Sequence, residues 1–256
     1  MLATRVLMRA PDPGLSRAVV SHIERRPIDL ERATQQWEEL GRIFAQCGWS
    51  RVLIEPQPGD LACPDGVFVG DTVASLGGRV ILTRSAVESR RPERTAARRT
   101  LAAARVRAVP IRRPGTLDGG DLMRVHDTVY VGMGGRTNRA GLAQVVDILR
   151  PAGLTVVPVP LHKAVHLSAA VSALPDGTVL GYPPRVDDPS IFSDFLPVRE
   201  PCGIHVVPLG ERRLLMAASA PETAELVRSL GYEPILVDIG EFEKREGTLT
   251  CLFAPF

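Results

Sequence analysis

Apolar and polar positions along the chain repeat one pattern about five times: an apolar hairpin, a helix and a short strand. Residues 67–84, VFVGDTVASLGGRVILTR, read as two strands joined at Gly77-Gly78, a tight-turn signal. The stretch 93–105 is Ala-rich with helical spacing, Pro92 suits a helix start, and 106–111 reads as a short strand. The pattern returns as a hairpin over 121–133, a helix over 138–150 with Asn138 as its N-cap, and a strand over 154–159. A third copy spans 168–181 around Asp176-Gly177 and runs into a shorter helix within 187–196, with no clear closing strand. The fourth is a hairpin over 204–217 around Gly210, a helix over 221–230 and a strand over 233–239. The fifth is split between the termini. Residues 249–253 supply one hairpin strand and 4–9 the other, followed by a helix over 29–46 and a strand over 51–55.

Successive hairpins begin about 35–55 residues apart, a period typical of units that bury their apolar faces only by stacking on neighbours. Pairing the first strand with the last closes the ring and removes a free edge. The expected fold is therefore α/β: a five-bladed, pseudo-symmetric α/β propeller. Strand–helix alternation ordinarily means an open parallel sheet. The hairpin before each helix argues against that alternative.

The chain has 256 residues, 45% of them apolar, enough for one globular domain spanning 1–256, and no linker or low-complexity stretch divides it. Its net charge is +2, from 31 basic and 29 acidic residues, so neither nucleic acid nor a membrane surface is an expected partner. The densest basic stretch, Arg90, Arg91, Arg94, Arg98 and Arg99, reads as the solvated face of a helix. The N-terminal apolar run is short and carries Arg5 and Arg9, unlike a signal peptide. No run approaches the ~20 apolar residues that span a membrane. Cys47, Cys63, Cys202 and Cys251 show neither CxxC spacing nor a disulfide framework, so free thiols and a cytoplasmic location are expected.

Polar and reactive residues recur where each repeat begins. Asp65 and Asp71 flank VFVG, Asp118 and Asp121 lie in TLDGGDLM, His166 opens HLSAAVSAL, His205 lies in GIHVVPL, and Cys251 lies in LTCLF. Taken singly, each has an ordinary structural explanation: a core cysteine, a satisfied histidine, a turn-capping aspartate. Carboxylates, a histidine and a cysteine at related points of a repeat instead suggest one site on the pseudo-symmetry axis, served by a cysteine nucleophile. Cys47 and Cys202 do not share that position. No HxxxH or HExxH spacing suggests a metal.

The segments CPDGVFVGDT (63–72), LTR (82–84), GTLDGGDLM (115–123), GGRTN (134–138), VHL (165–167) and FEKREGTLTC (242–251) resemble the dimethylarginine dimethylaminohydrolases of the guanidino-modifying pentein superfamily, in family order over nearly the whole chain. The resemblance implies hydrolysis of N-methylated arginines to citrulline plus a methylamine, without a cofactor or metal. The implied partner is that small-molecule substrate, and a homodimer is left open. It implies Cys251 as nucleophile, His166 as general acid and base, and Asp118 as the third catalytic member. Asp71 would grip the guanidinium, Asp65 and the Leu15 carbonyl would lie near the α-amino group, and Arg84 and Arg136 would hold the α-carboxylate. This sequence departs from the family pattern at Gly70, where the family has Glu, at Ser85 and Ser168, and at Arg245, where an aliphatic residue is common. Gly70 is expected to leave a roomier guanidinium pocket with one carboxylate fewer. It also keeps open a related guanidine hydrolase, of the arginine deiminase type, and more remotely a non-catalytic arginine-binding propeller.

Overall fold

The computed structural model of the chain describes residues 5–21, 23–57 and 63–256. In chain order its regular elements are β1 (Arg5–Met8), α1 (Leu30–Gln46), β2 (Ser50–Leu53), α2 (Val69–Thr72), β3 (Val73–Leu76), β4 (Arg79–Leu82), α3 (Glu93–Ala103) and β5 (Ala108–Pro110). They continue with β6 (Leu122–Val125), β7 (Thr128–Met133), α4 (Arg139–Leu149), β8 (Thr155–Pro160), β9 (Val171–Ala173), β10 (Val179–Gly181) and β11 (Phe195–Pro197). The last are β12 (Val207–Pro208), β13 (Arg213–Ala217), α5 (Pro221–Ser229), β14 (Glu233–Val237), α6 (Gly240–Glu243) and β15 (Phe253–Pro255).

The strands form five three-stranded sheets, ordered β15-β1-β2, β3-β4-β5, β6-β7-β8, β9-β10-β11 and β12-β13-β14. Each centres on a strand with an antiparallel hairpin partner on one side and a parallel strand on the other. The parallel partner demands a crossover. α1, α3, α4 and α5 supply it in four of the five repeats. The two ends of the chain meet in one sheet, where Val6, Leu7 and Met8 pair with Pro255, Ala254 and Phe253. This is the five-bladed α/β propeller expected from the repeat.

The apolar core is divided among the blades. Side chains alternate across each central strand, so successive residues enter different clusters. Val80 and Leu82 pack with Leu7, Ala97 and Leu101, while Ile81 packs with Val129, Val131 and Val145. Tyr130 joins Val159, Val171 and Val179, and Leu180 joins Leu214, Met216 and Val227. Leu215 and Ala217 then meet Val6, Met8, Trp37 and Phe44, which completes the ring. Every cluster spans two successive sheets, so no blade can bury its own faces. At about 1.5–3 kcal/mol per fully buried large side chain, these shared faces hold the ring together.

The structure corrects the sequence reading in several places. The first hairpin strands begin at Val73, Leu122, Val171, Val207 and Phe253, later than the positions read from the apolar pattern. VGDT (69–72) and LTC (249–251) form short helical turns, not strand. The helix expected within 187–196 is replaced by short turns at Pro183–Arg185 and Pro189–Ile191 and by β11, which closes the third repeat. Within that stretch Pro189 offers no backbone N–H, which disfavours a helix running through it. The strand read over 4–9 is β1, with Thr4 outside the described residues. Among the described residues no helix is long and apolar enough to cross a membrane.

Candidate active site

Each repeat enters its first strand through one short helical turn: α2, Gly119–Asp121, Leu167–Ala169, Pro201–Ile204 and Leu249–Cys251. Neighbouring turns pack on one another from 249–251 through α2, 119–121 and 167–169 to 201–204. A hydrogen bond of 3.2 Å between His205 Nδ1 and Thr250 Oγ1 joins the last to the first. Two positions of the turn hold the candidate residues. Asp118, His166 and Thr248 are the extended residues just before their turns, and Asp71, Asp121 and Cys251 are each the third residue within.

Glycine lets these turns approach so closely. A Cβ on Gly70 would lie 2.3 Å from the Thr250 carbonyl oxygen and 3.1 Å from Cys251 Cα. One on Gly119 would lie 2.1 Å from the Gly70 carbonyl oxygen. One on Gly120 would stand 3.1 Å from His166 Cγ and 3.2 Å from Asp71 Oδ1. This overturns the expectation of a roomier pocket at Gly70. The backbone that carries the nucleophile candidate fills the space a side chain would need.

His166 sits between two carboxylates, with Nε2 3.3 Å from Asp118 Oδ2 and Nδ1 3.9 Å from Asp71 Oδ1. Arg136 reaches in from the loop after β7, its NH1 3.7 Å from Asp118 Oδ2. Thr137 donates to Asp121 Oδ2 at 2.6 Å, and the Asn138 side chain caps α4 by accepting from the Gly141 N–H at 2.8 Å. The three residues of the RTN motif thus serve the site, a neighbouring turn and a helix end in succession. Asp121 also accepts from the Leu167 N–H at 3.2 Å, which ties two turns together, and burial raises its carboxyl to about 6.

Charge is concentrated here. Burial works against the His166 imidazolium, but the Asp71 charge and the Asp118 hydrogen bond outweigh it and raise the histidine to about 9. Burial works to raise Asp71 too, and the charges of His166 and Arg90 reverse that, holding it below the usual carboxylate range. Cys251 is half-buried beside Thr248, whose hydroxyl lies 3.1 Å from Sγ. Burial first and the Asp71 charge second push its thiol up to about 12. The resting centre therefore pairs a neutral thiol with an imidazolium. Among the described residues, Asp71 Oδ1 and Asp118 Oδ1 are buried without a hydrogen-bond partner, two acceptors suited to the N–H donors of a planar cation. Among the described residues no group of three His, Cys, Asp or Glu is placed to hold a metal.

The His166 shift has a consequence for stability. A folded-state value of about 9 against about 6.5 unfolded stabilises the fold fully below about pH 6.5, and this is lost as pH rises through about 9. The fall in melting temperature between pH 6.5 and pH 9.5 is expected to be smaller in His166→Gln than in the unaltered protein, as read by calorimetry.

A N(G),N(G)-dimethylarginine dimethylaminohydrolase of Streptomyces coelicolor is 48% identical over 252 residues, 98% of this chain and 96% of its own. The chain belongs to the dimethylarginine dimethylaminohydrolase family. The arginine deiminase family model matches residues 50–192. A solved dimethylarginine dimethylaminohydrolase with a histidine replaced by glycine, an adduct with S-methyl-L-thiocitrulline, superimposes with a TM-score of 0.89 at 29% identity over 100% of both chains. A cysteine-to-serine variant from Pseudomonas aeruginosa, complexed with citrulline, gives 0.89 at 28% identity, again over 100% of both. Fold and family thus agree with the pentein resemblance read from the motifs.

Of the residues that the family resemblance picks out, the structure gathers Asp71, Asp118, His166, Arg136 and Cys251 on or beside the ring of turns. It places three others further out. Arg84 donates to the Gly115 carbonyl at 3.1 Å and lies among Arg91 and Arg113; burial and these like charges lower its pKa. Asp65 accepts from the Val19 N–H at 3.0 Å, and the Leu15 carbonyl accepts from Arg245 Nε at 3.2 Å. Arg245 is itself buried, and its guanidinium also donates to the carbonyls of Ser16, Arg26 and Lys244. It fastens the segment after β1, a task that an aliphatic residue could not perform. His205 is buried, pushed down to about 3 by burial and by Arg185, so it stays neutral and serves as a tie between turns.

Arg90 and Glu93 escaped the sequence reading. Arg90 belonged to a run read as a solvated face, yet it is 8% exposed and bonded to Asp71 at 2.8 Å. Its spacing of three from Glu93 was the available signal, but Arg91 has the same spacing from Glu88, and only the fold separates them.

Proposed function

We propose that this protein hydrolyses N-methylated arginines to citrulline and methylamine or dimethylamine, with Cys251 as nucleophile, His166 as proton carrier, and Asp71 and Asp118 as guanidinium anchors. The observation that carries the reading is the pair of unpartnered buried oxygens, Asp71 Oδ1 and Asp118 Oδ1, flanking an imidazolium beside a cysteine turn. We take residues 1–256 as a single catalytic domain acting in the cytoplasm, where thiols stay reduced.

The steps follow from the charges. A guanidinium bound on Asp71 and Asp118 offsets the negative field that keeps the Cys251 thiol protonated, so the thiol loses its proton to water as the substrate docks. The thiolate attacks the guanidinium carbon and a C–S bond forms. His166, protonated at rest, gives its proton to the substituted nitrogen. The C–N bond breaks, the methylamine leaves, and an S-alkylthiouronium remains on Cys251. The now neutral His166 takes a proton from water as the oxygen adds to the same carbon. The C–S bond breaks, the hydroxyl proton passes to the departing sulfur, and citrulline is released with the Cys251 thiol restored and His166 again protonated. Asp118 holds the ring in place at Nε2 and stabilises its charged form. We assign the α-carboxylate to Arg136 and, further out, Arg84, through charge-assisted hydrogen bonds. Asp65 and Leu15 shape the α-amino end through the segment they hold.

The test is a citrulline assay across monomethylarginine, asymmetric dimethylarginine, arginine and agmatine. Methylarginines are expected to be turned over, and Arg136→Ala is expected to raise KM for them by about tenfold or more, the scale of a lost charge-assisted hydrogen bond. Agmatine lacks the carboxylate and is expected to be a poor substrate. Turnover of agmatine at the rate of arginine would remove the two arginines from their assigned roles. Absence of citrulline from every methylarginine would overturn the function.

A further inference from the structure

We propose that Arg90, braced by Glu93, is a positioning residue that turns one oxygen of Asp71 toward the guanidinium and keeps it there. The inference rests on the hydrolase reading above and adds to it a residue pair outside the ring of turns. Arg90 NH1 donates to Asp71 Oδ2 at 2.8 Å. On its other side Arg90 grips Glu93 in a fork, Nε to Oε1 at 3.0 Å and NH2 to Oε2 at 3.0 Å. Thr72, the residue after Asp71, donates to Glu93 Oε2 at 3.1 Å. Glu93 is the first residue of α3, where a helix end favours negative charge. The side chains of Arg90, Asp71 and Glu93 are 8%, 7% and 5% exposed.

This geometry decides which oxygen of Asp71 faces the substrate. Oδ2 is held by Arg90, whereas Oδ1 has no hydrogen-bond partner among the described residues and lies 3.9 Å from His166 Nδ1. A carboxylate free to rotate would swing fully onto the imidazolium and withdraw the anchor. Arg90 cannot rotate either, since its planar fork is matched to Glu93. A small cavity of about 10 Å³, roughly water-sized, lies beside the clamp and is lined by Asp71, Asp118, Arg90 and Glu93. The charged and titratable groups facing Asp71 are His166 from the 167–169 turn, Arg136 from the loop after β7, Cys251 from the 249–251 turn, and Arg90. Among these, Arg90 bonds Asp71 directly and has no part in the proton transfers.

The experiment compares Arg90→Gln, Arg90→Lys and Glu93→Gln with the unaltered protein. In Arg90→Gln, KM for methylarginine is expected to rise about tenfold to a hundredfold, the range for a lost charge-assisted hydrogen bond, with a smaller change in kcat. The acid limb of kcat/KM is expected to move to higher pH, because Asp71 loses a cation that favours its ionised form. Arg90→Lys keeps the charge but not the fork and should recover part of the loss. Glu93→Gln should raise KM as well, more weakly, because it loosens the fork that holds Arg90. A purely structural arginine would lower the melting temperature and leave KM and the acid limb of the folded fraction unchanged. That result in Arg90→Gln and Arg90→Lys alike would overturn the inference. A second arm needs no turnover: Cys251 alkylation by 2-chloroacetamidine, a cation, is compared with alkylation by neutral iodoacetamide, read by mass spectrometry. The rate ratio is expected to fall about tenfold in Arg90→Gln, and an unchanged ratio would overturn the clamp even if the unaltered protein forms no citrulline.

Discussion

Gly70→Glu is expected to lose turnover by about a hundredfold or more, the scale of a displacement near 1 Å at a reacting centre. Comparison of motifs alone suggests the opposite, since the family's glutamate would add a carboxylate near the guanidinium. The decisive distance is the 2.3 Å from a Cβ at this position to the Thr250 carbonyl oxygen. The colliding atom is backbone and cannot swing aside. It belongs to the turn that carries Cys251, whose Cα stands 3.1 Å from the same point. A side chain at 70 therefore pushes the nucleophile turn outward, and the shift reaches β15 through the Phe253 carbonyl, also at 3.1 Å. Overpacking of this kind costs about 1–3 kcal/mol, which in a chain of this length lowers the melting temperature by several degrees at about 2–4 °C per kcal/mol. Gly70→Ala, which adds the Cβ alone, should show the same direction with a smaller fall. The measurements are kcat/KM for asymmetric dimethylarginine and a melting curve for each variant. A well-folded Gly70→Glu protein with improved kcat/KM would show that the two turns are not packed as described.

The Gly70 case shows where a sequence stops speaking. The ring itself was legible, because hairpin signals such as Gly77-Gly78 and Asp176-Gly177 and the alternation through VILT and VYVGM repeat with one order. The pairing of the termini followed from the leftover half-repeats at 4–9 and 249–253. The short turns were not legible. VGD and LTC carry no periodicity, and adjoining apolar residues made them look like strand. A glycine in a sequence reads as absent bulk. In the fold its space is taken by backbone about 180 residues away along the chain. Arg90 failed for a related reason: a run of arginines looks uniformly solvated until the fold buries one against Asp71 and leaves Arg91 to pair with Glu88 at the surface.

Cys251→Ser is expected to lose turnover by about a thousandfold or more, in keeping with removal of an activated nucleophile. The charges around the site explain why an alcohol cannot substitute. Burial and the Asp71 charge already hold the thiol up to about 12, and a serine hydroxyl starts far above a thiol. The nearby histidine offers no relief, because Asp71 and Asp118 keep it protonated up to about 9 and an imidazolium cannot accept the hydroxyl proton. A bound guanidinium lowers the barrier for a thiol, but not by enough for an alcohol. The fold should be undisturbed, since sulfur and oxygen differ little in size beside Thr248. Citrulline formation by Cys251→Ser near the unaltered rate would move the nucleophile to another residue.

The central claim, a covalent bond from Cys251 to the guanidinium carbon with His166 moving the protons, meets its most direct test in the His166→Gln protein mixed with S-methyl-L-thiocitrulline. Methanethiol leaves without needing a proton donor, so the first half of the reaction proceeds, and the second half stalls for want of a base. Mass spectrometry of the digested protein is predicted to show a persistent thiouronium adduct on the peptide that contains Cys251. No adduct, or an adduct on Cys47, Cys63 or Cys202, would contradict the account.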